Sequence, residues 1–320
     1  MLLLHTPFRR RNNLGGNTMK LLARYKNGNV SVIRWDDGTT VRRTEDDEFR
    51  PVFAENVDCK ITDRCDGGCQ FCYEGCTTLG KHGDIMNDKF IDSLHPYTEM
   101  ALNGNDLSHP YLIAFLSKLK EKKVIANLTV NQIHFERFYY FIKELLDKKL
   151  IWGLGISLRE PTDAFINLVK TIPNAVIHTI NGILTENDLD RLANHDLKIL
   201  ILGYKTTGRG LEYRSNNLKE LMKNTTYLGF MLPTIVKEGW FKNLSFDNLA
   251  IKQLDVKRLM SEEEWERFYM GDDGTFTFYI DLVNQIFSKN SVIAKVKSIP
   301  INGMTIDEMF EVVKTTNWED

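Results

Sequence analysis

The sequence predicts an α/β protein built around a parallel sheet. Between Val57 and about residue 225, short apolar segments alternate with longer segments of helical periodicity, which is the pattern of repeated βα units. The 320 residues include 42% apolar and 11% aromatic residues, enough to bury a large core. We therefore expect six consecutive βα units that share one sheet.

The segment before these units predicts a small antiparallel sheet. Short alternating apolar segments are interrupted by Asn27-Gly28 and by Asp37-Gly38, two dipeptides that are typical of hairpin turns. Residues 19–55 are therefore expected to form a three-stranded β-hairpin lead-in.

The first eighteen residues are expected to be a non-native or upstream leader. Leu-Gly-Gly-Asn-Thr precedes Met19, and a purine-rich ribosome-binding site with a short spacer would be translated in this way. Residues 1–18 are thus predicted to lie outside the native protein, with Met19 as its start.

The βα units are predicted from alternating strand-like and helix-like segments. The predicted strands are residues 57–62, 100–103, 124–130, 152–157, 175–180 and 197–203. The predicted helices between them are residues 111–122, 134–148, 162–171 and 186–193. Residues 56–235 are expected to form the core unit.

Residues 236–320 are expected to form a C-terminal α/β extension that caps this core. Two apolar segments, GFMLPTIV at 229–236 and TFTFYIDL at 275–282, resemble strands. SEEEWERFY, at 261–269, begins with a serine followed three residues later by a glutamate, which is typical of a capped helix start.

Charge and hydropathy exclude several classes of function. The formal net charge of -2 gives no overall basic footprint for a nucleic-acid partner. The apolar runs are far shorter than the roughly 20 residues that a membrane span needs. At the start of the chain the apolar residues precede the arginines, the reverse of a secretory signal. We therefore expect a cytoplasmic protein with no membrane partner.

The five cysteines all lie within residues 59–76, four of them in the segment CDGGCQFCYEGC. Such a cluster in a cytoplasmic protein indicates a metal centre or redox chemistry rather than disulfides. Structural zinc usually needs two separated Cys-x-x-Cys pairs, and that pattern is missing here. Closely spaced thiolates on a loop favour an iron-sulfur cluster.

Cys65, Cys69 and Cys72 are separated by three and then two residues, and Phe71 stands immediately before the last of them. Directly after the first strand of a βα series, this motif resembles that of the radical SAM superfamily. The resemblance implies a partial (β/α)6 TIM-like barrel. It also implies that the three cysteines bind three irons of one 4Fe-4S cluster, with the fourth iron open to S-adenosylmethionine (SAM).

In that family the reduced cluster cleaves SAM to a 5'-deoxyadenosyl radical, which abstracts hydrogen from the substrate. The resemblance therefore implies an enzyme with a reducing partner such as flavodoxin or ferredoxin. The sequence does not identify the substrate, which is a small molecule, a nucleoside or a peptide. No cysteine follows Cys76, so cysteine ligation provides for one cluster only.

The resemblance also assigns cofactor contacts by position along the βα series. A glycine-rich turn after the second strand would receive the SAM amino group, and here it reads Asn103-Gly104-Asn105 without the usual double glycine and glutamate. Polar contacts to the rest of SAM are expected after strands three to six. The predicted cofactor residues are Phe71, Tyr73, Asn103, Gly104, Asn105, Asn131, Ser157, Arg159, Asn181 and Tyr204.

Two alternatives stay open at this point. If Cys76 were the fourth ligand, the cluster would be closed and the chain would be an electron-transfer or regulatory protein. A zinc-stabilised binding module is the other alternative. Separately, the TTGRG segment at 206–210 suggests that Arg209 holds a carboxylate or phosphate.

Overall fold

The computed structural model describes residues 2–4 and 19–318. Its strands, in chain order, are β1 (Leu2–Leu4), β2 (Leu21–Asn27), β3 (Val30–Trp35), β4 (Thr40–Arg43), β5 (Asn56–Lys60), β6 (Glu99–Asn105), β7 (Ile125–Asn131), β8 (Gly153–Ser157), β9 (Ala175–Ile180), β10 (Lys198–Leu202), β11 (Asn243–Phe246), β12 (Thr277–Asp281), β13 (Ile286–Ser288) and β14 (Ile299–Pro300).

Ten α-helices and two short 3-10 helices connect these strands in the described part of the chain. The α-helices are α1 (Asp88–Asp92), α2 (Leu112–Glu121), α3 (Gln132–Arg137), α4 (Tyr139–Asp147), α5 (Asp163–Lys170), α6 (Glu186–Leu192), α7 (Arg209–Glu238), α8 (Asn248–Leu254), α9 (Glu262–Phe268) and α10 (Ile306–Thr315). The 3-10 helices are Val256–Leu259 and Ile293–Lys295.

Eleven of the described strands form one sheet, in the order β1-β11-β10-β9-β8-β7-β6-β5-β12-β13-β14. Strands β5 to β11 run parallel and follow one another in chain order. Strand β12 is parallel to β5 on its other side, whereas β1, β13 and β14 pair antiparallel. The predicted α/β class and its large parallel sheet are confirmed.

One face of this sheet packs against the helices in the hydrophobic core. Alternate residues of β7, such as Ala126, Leu128 and Val130, are fully buried. They belong to the same core as the apolar sides of the connecting helices, which include Phe115 of α2 and Phe165 of α5. The helices therefore form because each buries one apolar side against the sheet.

Strands β2, β3 and β4 form a separate three-stranded antiparallel sheet, as the hairpin signals predict. Buried Arg34 joins it to the large sheet, because its guanidinium donates to the Glu55 carbonyl at 3.0 Å and lies 3.3 Å from the Glu99 carboxylate. Of the predicted leader, Leu2–Leu4 pair with β11. The rest of that prediction lies outside the described residues.

Two predicted elements differ from the structure. Residues 134–148 are not one helix, because Phe138 leaves helical geometry between α3 and α4. Residues 229–236 are not a strand but the end of α7. There, Leu228, Leu232 and Ile235 are buried at helical spacing, and this packing overrides the strand-like composition.

Candidate metal centre

The cysteine loop, which we define as residues 61–84, leaves the carboxyl end of β5. Cys65, Cys69 and Cys72 are partly accessible in it, whereas Cys76 is buried. Cys59 lies inside β5 and is also buried, and burial raises the pKa of its thiol well above the ordinary value. Of the five cysteines, the three that are separated by three and then two residues are thus the accessible ones.

Asparagines at the end of β6 hold the start of this loop. Asn103 accepts a hydrogen bond from the Ile61 backbone at 2.6 Å and donates to the Thr62 carbonyl at 2.9 Å. Asn105 donates to the Thr62 and Arg64 carbonyls, both at 3.1 Å. These side chains therefore contact the loop that carries the cysteines.

Gly104 between them is required by close packing against β7. A Cβ at this position would lie 2.8 Å from the Leu128 side chain and 3.1 Å from the Thr129 carbonyl. The Asn-Gly-Asn turn thus fits tightly between the cysteine loop and the neighbouring strand.

Asp66, between the first two cysteines, anchors the loop to α3. Its carboxylate accepts hydrogen bonds from Arg137, at 2.7 Å, and from the buried His134. These bonds, first from Arg137 and then from His134, lower the pKa of Asp66 to about 2. Asp66 is therefore ionised at neutral pH and ties the loop to the helix that follows β7.

Arg209, at the start of α7, holds the loop from the other side. Its guanidinium donates to the Cys69 and Cys76 carbonyls, both at 3.0 Å, and its backbone N–H donates to the Cys72 carbonyl at 3.0 Å. The guanidinium thus shapes the loop through two of its nitrogens, and the anion-binding role suggested by the sequence stays a prediction.

Gly208 allows this close approach. Its φ of +53° and ψ of -138° are favourable only for glycine. A Cβ there would lie 2.5 Å from the Tyr73 carbonyl oxygen and 2.8 Å from that of Cys72. We call Gly208 and Arg209 the loop clamp.

A buried ion cluster holds the first half of the loop. Lys60 Nζ lies 2.6 Å from Asp63, 3.0 Å from Glu74 and 3.0 Å from Asp281. Glu74 also pairs with Lys295 at 2.7 Å. Since β5, β12 and the loop all contribute charges, the cluster joins the loop to two neighbouring strands of the large sheet.

The sulfur atoms lie among hydrogen-bond donors and positive charges. Asn131 Nδ2 is 3.3 Å from Cys69 Sγ. Burial raises the pKa of Cys65 to about 11 and also raises that of Cys69, although Arg159 and Arg209 oppose the shift at Cys69.

Cys76 differs from the accessible cysteines because its thiol hydrogen-bonds to Cys72. This bond lowers the pKa of Cys72 and raises that of Cys76. Asn105 Nδ2 also lies 3.5 Å from Cys76 Sγ. The structure therefore places a fourth thiol in direct contact with the third one of the motif.

The second face of the large sheet is polar and half-buried. In β6, β7, β9 and β10, fully buried residues alternate with partly accessible ones. We define the polar face by its side chains Asp58, Asn103, Asn127, Thr129, Asn131, Ser157 and His178. A parallel sheet is normally covered on both faces, so this accessible face is a site where a ligand can contact the sheet.

His178 and Asp58 are the two titratable groups of the polar face that sequence analysis missed. Burial lowers the pKa of His178 to about 4, so the imidazole is neutral at pH 7. Asp58 is solvent-accessible, but desolvation by the surrounding protein raises its pKa to about 6, although Lys205 nearby opposes the shift. Because side chains alternate between the two faces along β5 and β9, both residues lie on this face. Nothing in the sequence indicated the shifts in their pKa values.

Gly155 in β8 makes room for the histidine. A Cβ at this position would lie 2.3 Å from His178 Cε1 and 2.8 Å from the Thr129 hydroxyl. Substitution at Gly155 would therefore displace the imidazole from the polar face.

The remaining predicted cofactor residues fall into two groups. Arg159 donates to the Gly67 carbonyl at 3.2 Å, and Ser157 is paired in register with Asn131 and His178. Phe71 packs edge-on against Tyr213, with ring centroids 5.7 Å apart, and Lys205 Nζ lies 3.9 Å from the centre of the Tyr73 ring. Phe71, Tyr73 and Arg159 thus lie on or against the cysteine loop, and Ser157 neighbours Asn131 in the sheet.

Asn181 and Tyr204 form a second group, away from the contacts of the cysteines. Asn181 Nδ2 donates to Gln253 at 3.0 Å, and the same Gln253 oxygen accepts from the Tyr204 backbone at 2.8 Å. Asn181 Oδ1 is buried without a hydrogen-bond partner. Gln253 thus links the ends of β9 and β10.

Within the described ranges, no group of three or more His, Cys, Asp or Glu side chains is arranged to hold one metal ion. This finding concerns sites for a single metal ion. In an iron-sulfur cluster each thiolate binds a different iron. No helix of residues 2–4 and 19–318 is long and apolar enough to cross a membrane.

No protein-family model matches the sequence, and no curated protein is significantly similar to it.

Proposed function

We propose that this chain is a radical SAM enzyme that uses one 4Fe-4S cluster and SAM. The observation that carries the proposal is the cysteine loop itself. Cys65, Cys69 and Cys72 are the accessible thiols, and they lie on a loop at the carboxyl end of the first strand in a parallel series. Ligands bind at this edge of parallel sheets.

The strand order supports a partial (β/α)6 barrel. Strands β5 to β10 follow one another without reversal, whereas doubly wound sheets reverse their order at a switch point. One face of these strands is buried and apolar, while the polar face is half-buried. A sheet that curves around a ligand cavity accounts for both features.

The residues present fit an iron-sulfur cluster. A Cβ on Gly67 would lie 3.2 Å from Cys65 Sγ and 4.0 Å from Cys69 Sγ, so glycine keeps the space between these sulfurs open. Asn131 and the guanidinium groups of Arg159 and Arg209 favour negative charge at Cys69. Thiolates with such donors around them are suited to hold the cluster.

When bound, the cluster and SAM would supply one-electron cleavage of the sulfonium and hydrogen abstraction from the substrate. The protein would contribute the side chains that surround the cluster, SAM and the substrate. Asn103 and Asn105 shape the loop at the place expected for the SAM amino group, and Ser157 and Arg159 are the residues that we propose for its ribose and carboxylate. Asp58 and His178 of the polar face are available to contact the substrate. A reduced flavodoxin or ferredoxin would provide the electron.

The test is anaerobic SAM cleavage. The protein is reconstituted with iron and sulfide, reduced with dithionite and mixed with SAM, and 5'-deoxyadenosine and methionine are measured by chromatography. We expect both products from the wild type and neither from Cys69→Ala, because no other residue replaces that thiolate. Cys59→Ala is the matched control, since Cys59 is buried within β5.

Cleavage retained by Cys69→Ala would contradict the proposal. The second candidate is an electron-transfer or regulatory protein whose cluster is closed by Cys76, and the contact between Cys76 and Cys72 favours it. Cys76→Ala separates the two. An open cluster should survive that substitution with its SAM cleavage, whereas a closed one should lose iron.

A further inference from the structure

Asn131 is the last residue of β7, and both polar atoms of its side-chain amide make hydrogen bonds. Its Oδ1 accepts the Ile133 backbone N–H at 3.2 Å, which caps α3, and its Nδ2 lies 3.3 Å from Cys69 Sγ. Only an oxygen can accept the capping bond, so the cap directs the amide N–H₂ toward the sulfur. The hydrogen bond to Cys69 is therefore built into the start of the helix.

The surroundings of Asn131 keep it in place. Gln132 Oε1 accepts the backbone N–H groups of Arg159 and Glu160, at 2.8 and 2.9 Å. Further along α3, His134 and Arg137 bind Asp66 of the cysteine loop. The helix that Asn131 caps is thus fixed both to the segment after β8 and to the cysteine loop.

We propose that Asn131 is a positioning residue that raises the reduction potential of the cluster, an inference that rests on the proposed function. Reduction adds one negative charge to a cluster and its thiolates. A hydrogen-bond donor to a thiolate sulfur stabilises the more negative state more strongly, and such bonds are known determinants of cluster potential. Two guanidinium groups also lie beside this part of the loop, since Arg209 donates to the Cys69 carbonyl at 3.0 Å and Arg159 donates to the Gly67 carbonyl at 3.2 Å.

The test compares Asn131→Ser and Asn131→Asp with the wild type. Serine and aspartate are both good helix N-caps, so both variants keep the cap but lose the amide donor, and aspartate adds a negative charge. The midpoint potential of each reconstituted protein is measured by a potentiometric titration followed by EPR. We expect the potential to fall in Asn131→Ser and to fall further in Asn131→Asp.

Asn87 provides the matched control. It caps α1 in the same way, through Oδ1 accepting the Phe90 backbone N–H at 3.1 Å. Asn87→Ser and Asn87→Asp should leave the potential unchanged. Unchanged or raised potentials in both Asn131 variants would overturn the inference, as would loss of the cluster from both variants with the fold intact.

The two proposals fail in different ways. A wild-type chain that takes up no cluster would overturn both of them. A cluster that assembles but does not cleave SAM would count against the proposed function alone, since the potentials of the Asn131 variants still decide the role of this residue.

Discussion

Asp58 shows how a single position on the sheet acquires unusual chemistry. It is flanked in register by Ala101 of β6 and Tyr279 of β12, and its side chain is accessible on the polar face. Desolvation by the protein groups around this face nevertheless raises its pKa to about 6. The carboxyl group therefore changes charge close to neutral pH, within reach of any ligand that contacts this face.

Asp58→Asn is expected to stabilise the protein above pH 6. The raised pKa means that the folded state favours the protonated carboxyl, so its stabilising contribution is lost as pH rises through about 6. Thermal unfolding at pH 4.5 and pH 8 tests this. The gain in Tm should be larger at pH 8, because asparagine is neutral at both values.

The control for this prediction is Asp92→Asn, on a side chain with 78% exposure. The same pH dependence in both variants, or a loss of Tm at pH 8 in Asp58→Asn alone, would contradict the expected effect.

Among the secondary-structure elements, the second half of α7 is helical although its composition favours a strand, because tertiary packing outweighs that local preference. Its second half contains a proline and several residues that favour strands. Leu228, Leu232 and Ile235 repeat at helical spacing and are buried in the main core, whereas Phe230 is 78% exposed. The helix is therefore maintained by one apolar stripe.

Leu232→Ala is expected to lower the free energy of unfolding by about 2–5 kcal/mol, because it removes a fully buried side chain and leaves a cavity. Phe230→Ala on the same helix is the control, and its effect should stay within about 0.5 kcal/mol. Denaturant titrations measure both values. Equal losses in the two variants would show that α7 does not pack as described.

At the scale of the whole molecule, the cysteine loop is held by distant parts of the chain. The loop clamp binds it from the start of α7, Asp66 binds α3, and the ion cluster around Lys60 links it to β12. The geometry of the three accessible cysteines is thus a property of the whole sheet and its connecting helices.

Gly208→Ala should displace the clamp and reduce the iron bound after reconstitution. The added Cβ would lie 2.5 Å from the Tyr73 carbonyl oxygen, and the backbone conformation alone costs about 1–3 kcal/mol for a residue with a side chain. Gly38→Ala is the control, because Gly38 also has a positive φ, of +93°, but no atom within 4 Å of a Cβ.

Iron and sulfide analysis, together with thermal unfolding, compares these variants. We expect Gly38→Ala to lose some stability while it retains full cluster content. If Gly208→Ala bound as much iron as the wild type, the clamp would not be needed for the metal centre.

The α/β class, the parallel strands and the cysteine loop followed from the sequence alone, because alternation, periodicity and spacing are local signals. The observed β9 has the predicted bounds, and the predicted β7 differs by one residue at each end. The three accessible cysteines were likewise marked by their spacing.

Tertiary structure decided what surrounds those cysteines. Asn131 and Cys69 are 62 residues apart in sequence, and Arg209 and Cys69 are 140 apart, so no local pattern could pair them. The pKa values of Asp58 and His178 likewise depend on burial by several strands. Sequence thus determined which thiols are present and on which loop, whereas long-range packing determined the hydrogen bonds and charges around them.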